Sequence, residues 1–188
     1  SMISKAPAQA KHFMTDQYAV FGNPIAHSRS PRIHAMFATQ TGQDMTYVPK
    51  LAPAKGFATE LRAFIALGAR GANVTVPFKL EAIAIATQLS VRAKLAGAVN
   101  TLCFNGDEIY GDNTDGIGLL RDLMQNHQLK LAGRRVLLLG AGGAARGVLR
   151  PLLDEQPADL IVANRTEARA QRLVAEIGPA ISSVAAVS

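Results

Sequence analysis

One cysteine, aromatic side chains at only 5% and no apolar run approaching the roughly 18 residues of a membrane-spanning helix set the first limits on this 188-residue chain. Cys103 alone cannot close an internal disulfide, and within the run TLCF it is expected to pack as a small hydrophobe. His12, His27, His34 and His127 show no metal-ligand spacing, so no metal site is expected. The opening SMISKAPAQAKHFMT has no apolar stretch of signal-peptide length; Ser1 before Met2 reads as a tag remnant, and residues 1–15 read as a disordered tail. A cytoplasmic protein without a membrane partner is the expectation. A nucleic-acid partner is not expected either, because the net charge of +6 is spread out: residues 1–132 hold 13 basic against 9 acidic side chains, and residues 133–188 hold 7 against 5.

What is present is the composition of a folded globular chain, 48% hydrophobic and 18% charged, with 16 glycines and 9 prolines. From Tyr18 onward short β-type runs alternate with amphipathic helical ones. YAVFG reads as a strand, followed by the helix SPRIHAMFATQTG with Ser30 as N-cap, Pro31 in the first turn and Gly42 as the stop. MTYVPK (strand), KGFATELRAFIALG (helix), GANVTVP (strand), KLEAIAIATQL (helix) and VNTLCF (strand) follow, then a hairpin around Asn105-Gly106 and the helix GIGLLRDLMQNH. This predicts an α/β domain with a mostly parallel sheet over residues 16–127, and a linker over 128–133. RRVLLLG then reads as a strand buried on both faces. It runs into GAGGAARGVLRPLLD, DLIVANR and EARAQRLVAEIG, the order of a Rossmann-type dinucleotide unit over residues 134–188. A complete doubly wound domain takes on the order of 130 residues, so this stretch is expected to be its first part and the chain to be truncated.

The strongest single motif is Gly140-Ala141-Gly142-Gly143-Ala144-Ala145, whose glycines permit a tight turn and the close approach of a pyrophosphate to free N–H groups at a helix N-terminus. At the end of the next strand an NAD site usually places Asp or Glu for the ribose 2′-hydroxyl; here stand Asn164, Arg165 and Thr166, with Arg169 one turn on. Arginine suits a 2′-phosphate and hence NADP, although Thr166 also reads as a helix cap and Arg165 as a surface residue. In AHSRSPR, Ser28 and Ser30 could donate jointly to a carboxylate, while Ser30 alone is accounted for as the cap. GANVTVPFK puts Asn73 and Thr75 on one strand face and Lys79 in the first turn of the next helix, where the macrodipole opposes a cation and favours a neutral amine able to exchange a proton. Asp115 in GDNTDGIG reads either as a helix N-cap or as a carboxylate paired with Lys79. Asn100, ending the run AGAVN, reads either as a turn residue or as a ligand donor.

Taken in order, GNPIAHSRSP, NVTVPFK, AGAVNT, GDNTDG, GAGGAARG and ANRT resemble the shikimate dehydrogenase family over about residues 18–178. The resemblance implies an oxidoreductase of aromatic amino-acid biosynthesis that interconverts shikimate and 3-dehydroshikimate with NADP, as a monomer or homodimer. It implies that Ser28 and Ser30 bind the substrate carboxylate, that Asn73, Thr75, Asn100 and Asp115 line the rest of the site, and that Lys79, paired with Asp115, transfers the proton. Gly140, Ala141, Gly142, Gly143 and Ala144 would hold the pyrophosphate, with Asn164, Arg165, Thr166 and Arg169 around the adenosine 2′-phosphate. Two departures stand out: Val91 occupies a position where the family carries an acidic residue, and family members run to roughly 270 residues, as a full doubly wound domain would require. A quinate/shikimate dehydrogenase using NAD and a non-catalytic module holding a shikimate-like acid are the rival readings.

Overall fold

The computed structural model describes residues 15–177 and the backbone of 184–187; apart from Thr15, the expected tail lies outside the described residues. In the first half β1 (Asp16–Gly22), β2 (Met45–Leu51), β3 (Gly71–Val74), β4 (Gln88–Leu89), β5 (Thr101–Asn105) and β6 (Glu108–Asp112) form one sheet in the order β2-β1-β3-β5-β6-β4. β1 is parallel to β2 and β3, and β4 to β6, while β5 is antiparallel to β3 and β6; the sheet is mostly parallel, as expected. Around it lie α1 (Ser30–Thr41), α2 (Phe57–Ala66), α3 (Glu81–Ile85), α4 (Val91–Ala96) and α5 (Asp115–Arg121), the last continuing as a π-turn over Asp122–Asn126. Among the described residues no helix is long and apolar enough to cross a membrane.

The few aromatic residues are concentrated where they matter. Phe57, Leu61 and Phe64 recur at helical spacing on α2 and are buried against Phe21 of β1. Phe21 meets Phe57 and Phe64 edge-on at 5.8 and 5.7 Å, and Phe57 stacks on Phe78 at 4.8 Å. Val74, Ala82, Val99 and Leu102 complete this core. α1 instead buries no side chain, and Ile33, Met36 and Phe37 are exposed on it.

Several local expectations are corrected. α1 does end at Gly42, with φ of 64°, but Ser30 is its first residue and not its cap. The hydroxyl that serves the helix start is that of Ser28, which accepts the Ser30 N–H at 3.3 Å. The helix expected over KLEAIAIATQL spans only Glu81–Ile85, because Thr87 exchanges hydrogen bonds with Ile109 and turns the chain into β4. α4 follows, capped by Ser90, whose Oγ accepts the Ala93 N–H at 3.0 Å. The hairpin turns at Gly106-Asp107, one residue later than expected, since Asn105 already pairs with Glu108. Cys103 is exposed, because the alternation along β5 sends Leu102 and Phe104 into the core and Cys103 to the opposite face.

The second half holds β7 (Arg135–Leu139), β8 (Asp159–Ala163) and β9 (Val184–Val187), all parallel in the order β7-β8-β9, with α6 (Gly143–Asp154) and α7 (Glu167–Ile177). Leu149, Leu152, Leu153, Leu160, Val162 and Leu173 form its core. β7 is not buried on both faces: Val136 and Leu138 pack against this core, whereas Leu137 and Leu139 are 61% and 75% exposed. The two halves meet where α6 packs on α4 and α5. A methyl at Gly116 of α5 would lie 2.3 Å from Pro151 Cγ and 2.5 Å from the Gly147 carbonyl, so the close approach of α5 and α6 requires glycine there.

Asp112, at the end of β6, is clamped to α4. Arg92 Nε donates to its Oδ1 at 2.7 Å while Nη2 engages Oδ2, and Ser90 Oγ and the Asn113 N–H donate at 2.6 and 2.7 Å. The Arg92 bonds, aided by Ser90 and Asn113 and opposed by burial, hold this carboxyl down at about 2.

Two outcomes follow. Gly116→Ala should destabilise the fold by about 1–3 kcal/mol through overpacking, whereas Gly118→Ala on the same helix, which meets nothing within 4 Å, should stabilise it by about 0.5–1 kcal/mol; urea melts of both variants read the opposite signs. Because the Asp112 carboxyl is held below its ordinary range, its contribution is present above about pH 4 and is lost as the pH falls toward 2. Arg92→Ala should therefore destabilise at neutral pH and flatten the acid limb of the stability profile.

Candidate active site

The site begins at the end of β3. Beyond Val74 the chain turns through Thr75 and Phe78 to Lys79, whose carbonyl accepts the Val99 N–H at 2.8 Å. Lys79 is thereby buried, only 8% exposed, and precedes α3 instead of lying in its first turn, so the expected effect of the helix field does not apply. Its Nζ meets Asp115 Oδ2 at 2.5 Å. Asp115 is the first residue of α5 and its side chain caps nothing: Oδ2 takes Lys79, and Oδ1 takes Asn100 Nδ2 at 2.8 Å. The expected pairing of Lys79 with Asp115 is present, and the capping alternative is not.

Neighbours hold this pair in place. Asn113, buried to 3% exposure, donates to the Ala98 carbonyl at 2.9 Å and accepts the Asp115 N–H at 3.1 Å. Asn100 accepts the Thr114 N–H at 3.0 Å and spends both of its own N–H groups, on Thr114 Oγ1 and Asp115 Oδ1. Its Oδ1 also accepts the Thr101 hydroxyl at 2.9 Å, so the whole side-chain amide is committed to its neighbours and has no donor left for a ligand. Asn73 donates to the Asn100 carbonyl and to Thr101 Oγ1, both at 3.2 Å, and accepts the Tyr47 hydroxyl at 2.7 Å. Ser28, Ser30 and Thr75 line one cavity of about 350 Å³ together with His27. Tyr47 links the two groups of residues: Ser30 lies beside its phenol, which burial raises above the ordinary range.

The second half brings a helix to the same place. Gly143 and Gly147 lie one turn apart on α6; a Cβ on the first would meet Lys79 Cβ at 3.1 Å, and one on the second Asp115 Oδ2 at 3.0 Å. The start of α6 is the glycine turn itself. Gly140, with φ of 106°, donates to the Ala163 carbonyl at 2.7 Å, tying the turn to the end of β8. Cβ positions at Gly140 and Gly142 are open, and Gly142 has no capping side chain, so no side chain satisfies the first-turn N–H groups of α6. Beside it, Asn164 folds back onto the Thr166 carbonyl at 2.8 Å, while Arg165, Thr166 and Arg169 are exposed. Neither arginine forms an ion pair among the described residues.

The expected residues thus fall into three groups, the serine cavity, the Lys79–Asp115 pair with its asparagines, and the glycine turn with Asn164–Arg169. Sequence reasoning missed Tyr47, Thr101, Asn113 and Thr114. Asn113 carried a signal, as a polar residue within the dense cluster GDNTDG. Tyr47 carried none, since its partner is 26 residues away on another strand.

Residues 20–102 match the family model of the shikimate dehydrogenase substrate binding domain, and residues 122–187 that of shikimate / quinate 5-dehydrogenase. The NADP(+) shikimate dehydrogenase of Herminiimonas arsenicoxydans is 62% identical over 157 residues, 84% of this chain and 58% of that protein. The shikimate dehydrogenase of Aquifex aeolicus superposes with a TM-score of 0.84 at 33% identity, over 93% of this chain and 63% of the other. The shikimate 5-dehydrogenase of Thermus thermophilus, solved in complex with NADP(H) and shikimate, superposes with a TM-score of 0.80 at 35% identity, over 90% and 62%. The chain therefore spans about three fifths of the length of these relatives. On its motifs, its paired family models and its fold, the chain belongs to the shikimate dehydrogenase family.

Proposed function

We propose that the chain carries the substrate pocket, the proton-transfer pair and the pyrophosphate turn of an enzyme that interconverts shikimate and 3-dehydroshikimate with NADP. The observation that carries this reading is the buried Lys79–Asp115 pair lying directly under Gly143 and Gly147 of the dinucleotide helix. Ser28 and Ser30 receive the carboxylate of the acid, and Thr75, Asn73 and Asn100 line the path from it to Lys79. Residues 140–144 hold the pyrophosphate, and the free guanidinium groups of Arg165 and Arg169 match a 2′-phosphate better than a bare ribose.

When bound, the nicotinamide cofactor supplies or accepts the hydride. The protein's own part is the proton. In ketone reduction the Lys79 ammonium gives a proton to the oxygen as the carbon receives hydride, forming one C–H and one O–H bond. In the reverse direction the hydroxyl proton returns to the amine. Asp115 aims Nζ and compensates its charge through both directions, and the packed glycines of α6 exclude water from the pair.

Calorimetric titration of the 188-residue chain with shikimate should give saturable binding that weakens at least about tenfold when Ser28 and Ser30 are both changed to alanine; no binding, or binding indifferent to the serines, contradicts the pocket assignment. In the enzyme of complete natural length, Lys79→Ala should lower turnover by about two orders of magnitude or more with shikimate binding largely kept. Unchanged turnover would remove Lys79 from the mechanism.

A further inference from the structure

Two side-chain amides near the pair have their orientations fixed by backbone groups. The Asn100 carbonyl can only accept, so the Asn73 group at 3.2 Å from it is the amide nitrogen, which leaves Oδ1 for Tyr47. The Thr114 N–H can only donate, so the Asn100 atom it meets at 3.0 Å is Oδ1, and Nδ2 faces Asp115. The hydroxyl directions then follow. Tyr47 must donate to Asn73. Thr101 Oγ1 accepts Asn73 Nδ2 at 3.2 Å and donates to Asn100 Oδ1 at 2.9 Å. Every bond in the series Tyr47 to Asn73 to Thr101 to Asn100 to Asp115 points the same way, and the series ends on the carboxylate that holds Lys79.

We infer that Tyr47 and Thr101 are positioning residues whose hydroxyls lock this one-directional series, so that Asn100 is held on Asp115 Oδ1 and Oδ2 is left to orient Lys79. Like-directed hydrogen bonds polarise one another, so each donor strengthens the next and the last presents its N–H to the carboxylate most firmly. Burial supports the assignment: a phenol raised above its ordinary range keeps its proton and remains a donor to Asn73. Neither hydroxyl needs to touch substrate. The inference rests on the reading of Lys79 and Asp115 as the proton-transfer pair, and the test separates the two.

The first readout needs no ligand. Hydrogen exchange of the Asn100 side-chain amide, followed by NMR in the 188-residue chain, should be slow, should quicken by about tenfold in Thr101→Val, and should remain slow in Thr101→Ser, which keeps the hydroxyl. Tyr47→Phe should quicken the Asn73 amide and, to a lesser degree, that of Asn100. In the complete enzyme, Thr101→Val and Tyr47→Phe should lower kcat while KM for shikimate stays within about twofold, with Thr101→Ser restoring kcat. A folded Thr101→Val chain whose Asn100 exchange is unchanged overturns the inference, as does a rise in KM at unaltered kcat. Should Thr101→Val fail to fold, Tyr47→Phe decides: unchanged Asn73 exchange overturns the inference, and faster exchange upholds it. Exchange as expected in a complete enzyme that does not turn over shikimate would instead refute the functional reading and leave the positioning series standing.

Discussion

An ammonium and a carboxylate 2.5 Å apart, with side chains only 10% and 21% exposed, are the constraint around which the surrounding loops are arranged. Removing such charges from water costs several kcal/mol per ion, and their attraction offsets that cost only when the remaining donors and acceptors are also satisfied. Asp115 meets the condition with Lys79 on one oxygen and Asn100 on the other, and its N–H goes to Asn113. No buried side-chain nitrogen or oxygen among the described residues is left without a partner. A well-packed apolar pair in the same place would serve stability at least as well, so folding alone does not account for the pair, which is in keeping with the proposed proton transfer.

The same constraint explains the glycines of α6. A helix that begins with a glycine turn and then passes over an ion pair must present almost no side chain on that face. Gly143 and Gly147 provide this, and Gly116 does the same on α5. The turn and the pair are thus placed relative to each other by a helix instead of a loop, the kind of fixed geometry that the proposed hydride and proton transfer would need. The second sheet is built around this helix, and the Arg92–Asp112 clamp keeps α4, its other neighbour, against β6.

Much of this was legible in the residues. Strand-turn-helix order and the glycine spacing identified the dinucleotide unit, and six ordered motifs identified the family. What was not legible has common physical causes. Ser30 reads as a cap because its residue type favours a helix start, whereas the helix begins at Ser30 itself, with Arg29 at the cap position and Ser28 Oγ accepting the Ser30 N–H. The helix after Lys79 is shorter than its apolar pattern because Thr87 pairs with Ile109, a contact 22 residues away that local propensity does not contain. RRVLLLG read as doubly buried because composition does not report which faces the helices cover. Tyr47 and Thr101 are ordinary strand residues until β2, β3 and β5 are brought into register.

The most direct measurement is a crystal structure of the chain soaked with shikimate. Predicted is an acid whose carboxylate lies between the Ser28 and Ser30 hydroxyls and whose ring hydroxyl lies within about 3 Å of both Lys79 Nζ and the Asp115 carboxylate. A ligand bound elsewhere, or bound in the serine cavity with no hydroxyl reaching Lys79, would contradict the assignment of the buried pair as the proton-transfer centre.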